Sequence, residues 1–358
     1  MIRFECDYAE GALPEILDLL IKTNMDQTPG YSVDVYCDRA RQLIKEECNA
    51  PDADVHFMVG GTQVNKTVIQ SVLRAHQGAV AASTGHINTH ESGTIEAGGH
   101  KVLTIPSDDG KITAQQVKDL LVAHFTDPTM EHTVQPGIVY ISNPTENGTM
   151  YNKAELEALR AVCDEYDIPL FLDGARMGYG LAAPDNDMTL ADYARICNVF
   201  YIGATKVGAL FGEAIVISDD KLKKDFRYHI KQNGGLLAKG RLLGIQFLGL
   251  FDERKLYYKV SQHAISQAMR IKKAFEDAGC KFRYDSPTNQ QFPILPNEVM
   301  GKLGEKYAFS FWEKVDENHT CVRFCTSQPE QQHRRRRERE RQMPERKQIH
   351  GRLPESYP

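Results

Sequence analysis

Three short segments carry residue types that could do chemistry together. In NVFYIGATKVGALFGEAIVI, Asn198 to Ile217, a single lysine, Lys206, interrupts a run of apolar and small residues. A lysine in that setting either carries its ammonium out to water on a flexible stem, or is held as an amine of lowered proton affinity that can attack a carbonyl carbon. Upstream by 33 residues, IPLFLDGARMGYG delivers Asp173 to the end of an apolar run, followed by Gly174, Ala175 and Arg176. A carboxylate there is poorly solvated and needs a cationic or N–H partner, or else it caps the helix that follows. In VGGTQVNKT, Gly60, Gly61 and Thr62 stand where an apolar segment gives way to a helical one. Free backbone N–H groups at a helix start, with a hydroxyl beside them, suit a phosphate, although a glycine pair also makes a simple tight turn.

These segments need a scaffold, and the pattern along the chain describes one. DVHFMVG runs into GGTQVNKTVIQSVLRA; HKVLTIP precedes ITAQQVKDLLVAHF; GIVYIS precedes KAELEALRAVCDEYD; IPLFLD, NVFYIG and GEAIVIS follow. Strand-like and helix-like patterns in alternation predict a mainly parallel sheet with helices on both faces. In such a sheet ligands bind beyond the carboxyl ends of the strands, which is where all three candidate segments fall. After about Leu250 a long amphipathic stretch, YYKVSQHAISQAMRIKKAFEDAG, and strand candidates such as KFRYD and HTCVRFC predict a smaller α+β domain. The division expected is an N-terminal segment 1–25, a large α/β domain 26–250, a small α+β domain 251–327 and a tail 328–358.

Composition narrows the function classes. The 358 residues are 41% hydrophobic and 25% charged, as in a soluble globular enzyme. No apolar run approaches the roughly 20 residues of a membrane span, and the start MIRFECDYAE lacks a signal-peptide pattern, so a cytoplasmic protein without a membrane partner is expected. The tail from Gln328 has nine Lys/Arg against five Glu, which leaves about nine net negative charges on residues 1–327 of a chain whose total is −5. An acidic body argues against a nucleic-acid partner, and so polar a tail is expected to be disordered. The eight scattered cysteines form no CxxC pair and lie beside no zinc-type histidines, so they read as reduced thiols, with no metal expected.

The ordered set GGTQVNKT, HESGTIEAGGHKV, FLDGAR, GATKVGALFGEA and VRFCTS resembles the threonine aldolase and β-eliminating lyase family, which has the aspartate aminotransferase fold (fold type I) and depends on pyridoxal phosphate. The likeness covers roughly residues 1–327, including DYAEGALPEIL and TPGYSVDVY. It implies that Lys206 is the Schiff-base lysine, that Thr205 lies near the phosphate, and that Asp173 pairs with the pyridine nitrogen. Gly61 and Thr62 would hold the phosphate, with Lys239 or Lys231 adding charge, and His90 of THESG would stack on the ring, with His86 as the competing candidate. Arg176 and Arg323 would bind the substrate carboxylate, while Asp7, Tyr8 and Tyr31 would line the site, commonly across a dimer interface.

Two departures stand out. In SNPTENG, Glu146 occupies a place where well-known relatives carry a histidine, which makes it a candidate base for the substrate hydroxyl. After VRFCTS, where the family continues with an aromatic residue and an amphipathic helix, this chain reads QPEQQHRRRRERER. The implied activity is cleavage of L-threonine or L-allo-threonine to glycine and acetaldehyde, by a homodimer or homotetramer acting on a small amino acid. The alternatives are β-elimination from a β-substituted amino acid and a catalytically impaired, cofactor-binding oligomer partner.

Overall fold

A computed structural model describes residues 1–327; the tail expected to be disordered lies outside the described residues. Seven strands build the large sheet: β1 (Asp54–Met58), β2 (Gln77–Ala82), β3 (Val102–Ile105), β4 (Gln135–Ser142), β5 (Leu170–Asp173), β6 (Val199–Gly203) and β7 (Glu213–Ile217). Their spatial order is β1-β7-β6-β5-β4-β2-β3. All neighbouring pairs are parallel except those made by β7, which runs antiparallel to both β1 and β6.

Side chains on these strands alternate between two apolar layers, as the two-residue period of a strand requires. Val139, Ile141, Leu170, Leu172, Phe200 and Ile202 enter one core, and Tyr140, Phe171, Val199 and Tyr201 enter the other. Both faces are covered, which is why β5, β6 and β7 are buried along their whole length and read as continuous apolar runs. This is the aspartate aminotransferase fold, with a large mainly parallel sheet. The helices come where the sequence pattern puts them, at Gly61–Val72, Ala114–Phe125, Lys153–Glu165 and Leu256–Asp277. Two of them start with reciprocal capping boxes, Thr113 with Gln116 and Asn152 with Glu155.

The second sheet is antiparallel and is drawn from residues 281–325: β8 (Lys281–Phe282), β9 (Gln290–Gln291), β10 (Pro293–Pro296), β11 (Ser310–Lys314) and β12 (His319–Cys325). HTCVRFC is β12 from end to end, whereas of KFRYD only the first two residues pair. The N-terminal segment is tied to this sheet. Phe4 O accepts from Cys325 N at 2.8 Å, and Glu5 O accepts from Arg323 Nη2 at 3.2 Å.

All eight cysteines are free thiols, and six of them are buried. Among the described residues no helix is long and apolar enough to cross a membrane.

Candidate active site

Strand register brings the three chemical segments to one edge of the large sheet. Met58, Glu213 and Gly203 are paired across β1, β7 and β6, so the glycine loop after β1 and the lysine loop after β6 leave the sheet on either side of Glu213. Ser142 is paired with Asp173, which sets the Glu146 loop after β4 next to the Asp173 turn after β5. Gly174 allows that turn, because a Cβ there would fall 1.9 Å from Tyr201 O.

Asp173 is buried and held by four donors. Tyr140 Oη donates at 2.7 Å, Asn65 Nδ2 at 3.1 Å and Ala175 N at 3.0 Å, and the Tyr201 hydroxyl donates as well. Burial by itself would raise its carboxyl; the nearby His86 charge and these hydrogen bonds outweigh burial and hold it below the ordinary range. Asp173 is therefore an anion, the charge that a positive N–H needs opposite it, and it does not cap a helix, because Ala175 N is a turn donor and the helix begins only at Met177.

Lys206 is enclosed enough that burial lowers its proton affinity. The Arg176 charge lowers it further, against the opposing pull of Asp7, Asp173 and Glu213. Its backbone is fixed by the Tyr179 hydroxyl, which donates to Lys206 O. Thr205 Oγ1 donates to Glu213 Oε1 at 2.8 Å and accepts from Gly212 N at 3.0 Å, so this hydroxyl braces the lysine loop against β7.

The glycine pair is a helix start. Gly60 occupies the N-cap of Gly61–Val72 with no side chain satisfying the first N–H groups. A Cβ at Gly61 would come within 2.8 Å of Tyr201 Oη, so the cup floor admits only glycine without rearrangement. A helix N-terminus open to an anion, an amine of lowered proton affinity and a buried carboxylate fit the three ends of a phosphorylated pyridine aldehyde.

Two sequence-derived assignments change. The histidine brought to Asp173 is His86, not His90. His86 Nδ1 lies 2.8 Å from Glu91 Oε1 and its backbone N donates to Glu146 Oε1 at 3.1 Å, whereas His90 is exposed, its ring stacked outside that of His86 at 5.5 Å. The reason is the short helix His86–Thr89, which is separated from the end of β2 by three residues and points its first residue over the strand ends. Asp7, expected against substrate, instead forms a two-point ion pair with Arg176, Nε to Oδ2 at 2.7 Å and Nη2 to Oδ1 at 3.0 Å, and Asn289 Nδ2 adds a bond at 2.9 Å. Burial would raise the Asp7 carboxyl, but Arg176, Lys206 and Asn289 keep it well below the usual range. Arg176 thus has only Nη1 left for a ligand.

Arg323 lies on β12 with its guanidinium 5.5 Å from the ring of Trp312, the single tryptophan. Nη1 donates to Gln290 at 3.3 Å, and Nε is buried without a partner. Glu146 is buried; Oε1 accepts from Ser142 Oγ at 2.7 Å while Oε2 has no partner. Burial and then the Asp173 charge raise its carboxyl, against the hydrogen bond from Ser142 and the His86 charge.

Tyr31 and Lys239 form a separate exposed patch. Tyr31 N donates to Leu237 O at 3.1 Å, and it is Lys231 that sits over the Tyr31 ring, at 4.9 Å. Tyr8 is exposed too. Residues that sequence reasoning missed are Asn65, Glu91, Tyr140, Tyr201 and Glu213. A signal existed for Asn65, a polar residue one turn after Gly61 on the buried face of its helix.

Comparisons with known proteins give the chain a family and a fold. The family model described as beta-eliminating lyase matches residues 16–355. The low specificity L-threonine aldolase of a Pseudomonas species is 30% identical over 257 residues, 70% of this chain and 72% of that protein. The solved threonine aldolase of Leishmania major is similar with a TM-score of 0.88 and 45% identity, covering 91% of this chain and 94% of that one. A Thermus thermophilus aspartate aminotransferase mutant, at 13% identity and a TM-score of 0.68, covers 96% of this chain and 91% of its own, and shares the fold alone.

Proposed function

The chain belongs to the beta-eliminating lyase family, and from that membership we propose that it is a carbon–carbon lyase that cleaves L-threonine or L-allo-threonine to glycine and acetaldehyde with pyridoxal phosphate. The observation that carries the reading is the convergence of Lys206, Asp173 and the Gly61 helix start at one sheet edge. Gly61 and Thr62 N–H groups would hold the cofactor phosphate, Asp173 its ring nitrogen, His86 its face and Lys206 its carbonyl carbon. When bound, the cofactor supplies an electron sink for the bond broken at the substrate Cα.

The chain's own groups do the rest. Arg323, backed by Trp312 and Gln290, grips the substrate carboxylate, and Nη1 of Arg176 is the second donor available. A charge-assisted bond of this kind contributes about 1.5–3 kcal/mol and fixes the orientation of Cα. The unpartnered Oε2 of Glu146 takes the proton of the β-hydroxyl, a role that a raised carboxyl suits near neutral pH. Ser142 and His86 N hold the other oxygen and so aim it.

The test is product analysis with purified protein. Threonine or allo-threonine should yield glycine and acetaldehyde, serine and cysteine little pyruvate, and borohydride should fix cofactor to the wild type but not to Lys206→Ala. Abundant pyruvate with no glycine from either threonine isomer would replace this reading with β-elimination.

A further inference from the structure

The cluster contains one carboxylate to which neither the proposed chemistry nor the family likeness gives a role. The Glu91 side chain is 0% exposed, although it comes from the otherwise exposed THESG loop. Its Oε1 lies 2.8 Å from His86 Nδ1 and 2.7 Å from Asn65 Nδ2. The same Asn65 nitrogen donates to Asp173 Oδ2 at 3.1 Å. An amide nitrogen has two hydrogens, and here each goes to a different buried carboxylate. The amide cannot rotate without losing both bonds, which explains why Asn65 Oδ1 is left buried without a partner.

A carboxylate oxygen only accepts, so the ring nitrogen facing it must carry hydrogen. Nδ1 of His86 is therefore N–H, and Nε2 is the atom left to take up or release a proton. Resting on the aldolase reading for the meaning of that proton, we propose that Glu91 is a positioning residue: it imposes the Nδ1–H tautomer on His86 and, through Asn65, locks the ring to Asp173, so that Nε2 is the atom through which this ring exchanges a proton, alongside the Glu146 carboxylate. The groups that face the His86 ring are the carboxylates of Glu91, Asp173 and Glu146 and the stacked ring of His90. Burial lowers its proton affinity and the three carboxylates more than restore it, Glu91 through both its hydrogen bond and its charge.

Two measurements on the full-length, cofactor-loaded protein test this. Nitrogen-15 NMR of His86 above its titration midpoint should show protonated Nδ1 and bare Nε2. The reverse tautomer overturns the assignment without any mutation and without reference to activity. In Glu91→Gln, the His86 midpoint, read by mass spectrometry from the pH dependence of imidazole C2–H exchange, should fall by about one pH unit or more, because an anion has become a neutral amide. The acidic limb of kcat/KM for threonine should move the same way with KM little changed, and in a His86→Asn background Glu91→Gln should have no further effect. An unmoved midpoint, or equal losses in both backgrounds, overturns the proposal. Failure to cleave threonine in a protein with the expected tautomer sinks the aldolase reading alone.

Discussion

Glu213 and Lys206 are the two groups whose proton affinities the enclosure distorts toward each other. Burial raises Glu213 to about 8, against the Thr205 hydrogen bond and the Lys206 charge, with Asp173 adding to the rise, while burial lowers Lys206. A carboxyl with an ordinary value of 4.5 and a folded value of about 8 contributes stability in full below the lower value and loses it as pH climbs through the upper. Glu213→Gln should therefore flatten the stability curve between those limits and be more stable than wild type at pH 9, as chemical denaturation across that range will show. A pH profile identical to wild type would mean that Glu213 is ionised in the fold. Chemistry-bearing residues at strand ends, Lys206 and Asp173, could be picked out one at a time because they break apolar runs. The choice between His86 and His90 could not, since the short helix His86–Thr89 decides which ring lies over the strands, and either spacing satisfies the same motif.

Among the elements, β2 explains that miss. QGAVAA has one β-branched residue and three alanines, so it carries little strand signal, yet it is buried between β4 and β3 and aims His86. The helix that starts at Gly61 was legible by contrast, because a glycine pair followed by a 3.6-residue apolar period has no other common reading. Its first turn yields a prediction. The Tyr201 hydroxyl that a new Cβ would meet at 2.8 Å is buried and bonded to Asp173, so it cannot easily yield. Gly61→Ala should weaken cofactor binding by roughly tenfold or more, about 1.4 kcal/mol. Gly61→Ala with Tyr201→Phe should regain part of the loss in a fluorescence titration of bound cofactor. Unchanged affinity in the single variant would show that the helix start tolerates a methyl group and holds no phosphate closely.

For the molecule as a whole, the apolar residues left at the surface concentrate near the N-terminus. Ile21 is 75% exposed, Met25 87%, Val33 53% and Val35 67%. Together with the exposed Tyr8 and Tyr31, which the family likeness puts at a site commonly shared between subunits, this supports the proposal of a homo-oligomer. Light scattering should give two or four times 40.4 kDa, and Ile21→Asp with Met25→Asp should shift the mass toward a single chain. A single-chain mass for the wild type at micromolar concentration would remove the proposal. The division into 26–250 and 251–327 is likewise a proposal, to be tested by limited proteolysis near residue 250.

Local order in the chain was enough to establish a mainly parallel sheet with its chemistry at the strand ends, since apolar periodicity and burial are properties of neighbouring residues. It was also enough to mark Lys206, Asp173 and Gly61, because each violates or punctuates its own local pattern. Partnership was not available there. That Asp7 neutralises Arg176 across 169 residues, that Asn65 shares its two hydrogens between Glu91 and Asp173, and that Tyr140 and Tyr201 turn their hydroxyls to one carboxylate all depend on strand order and register. Those pairings cost too much desolvation to exist unless the whole fold delivers both members at once, so only the tertiary structure decides them.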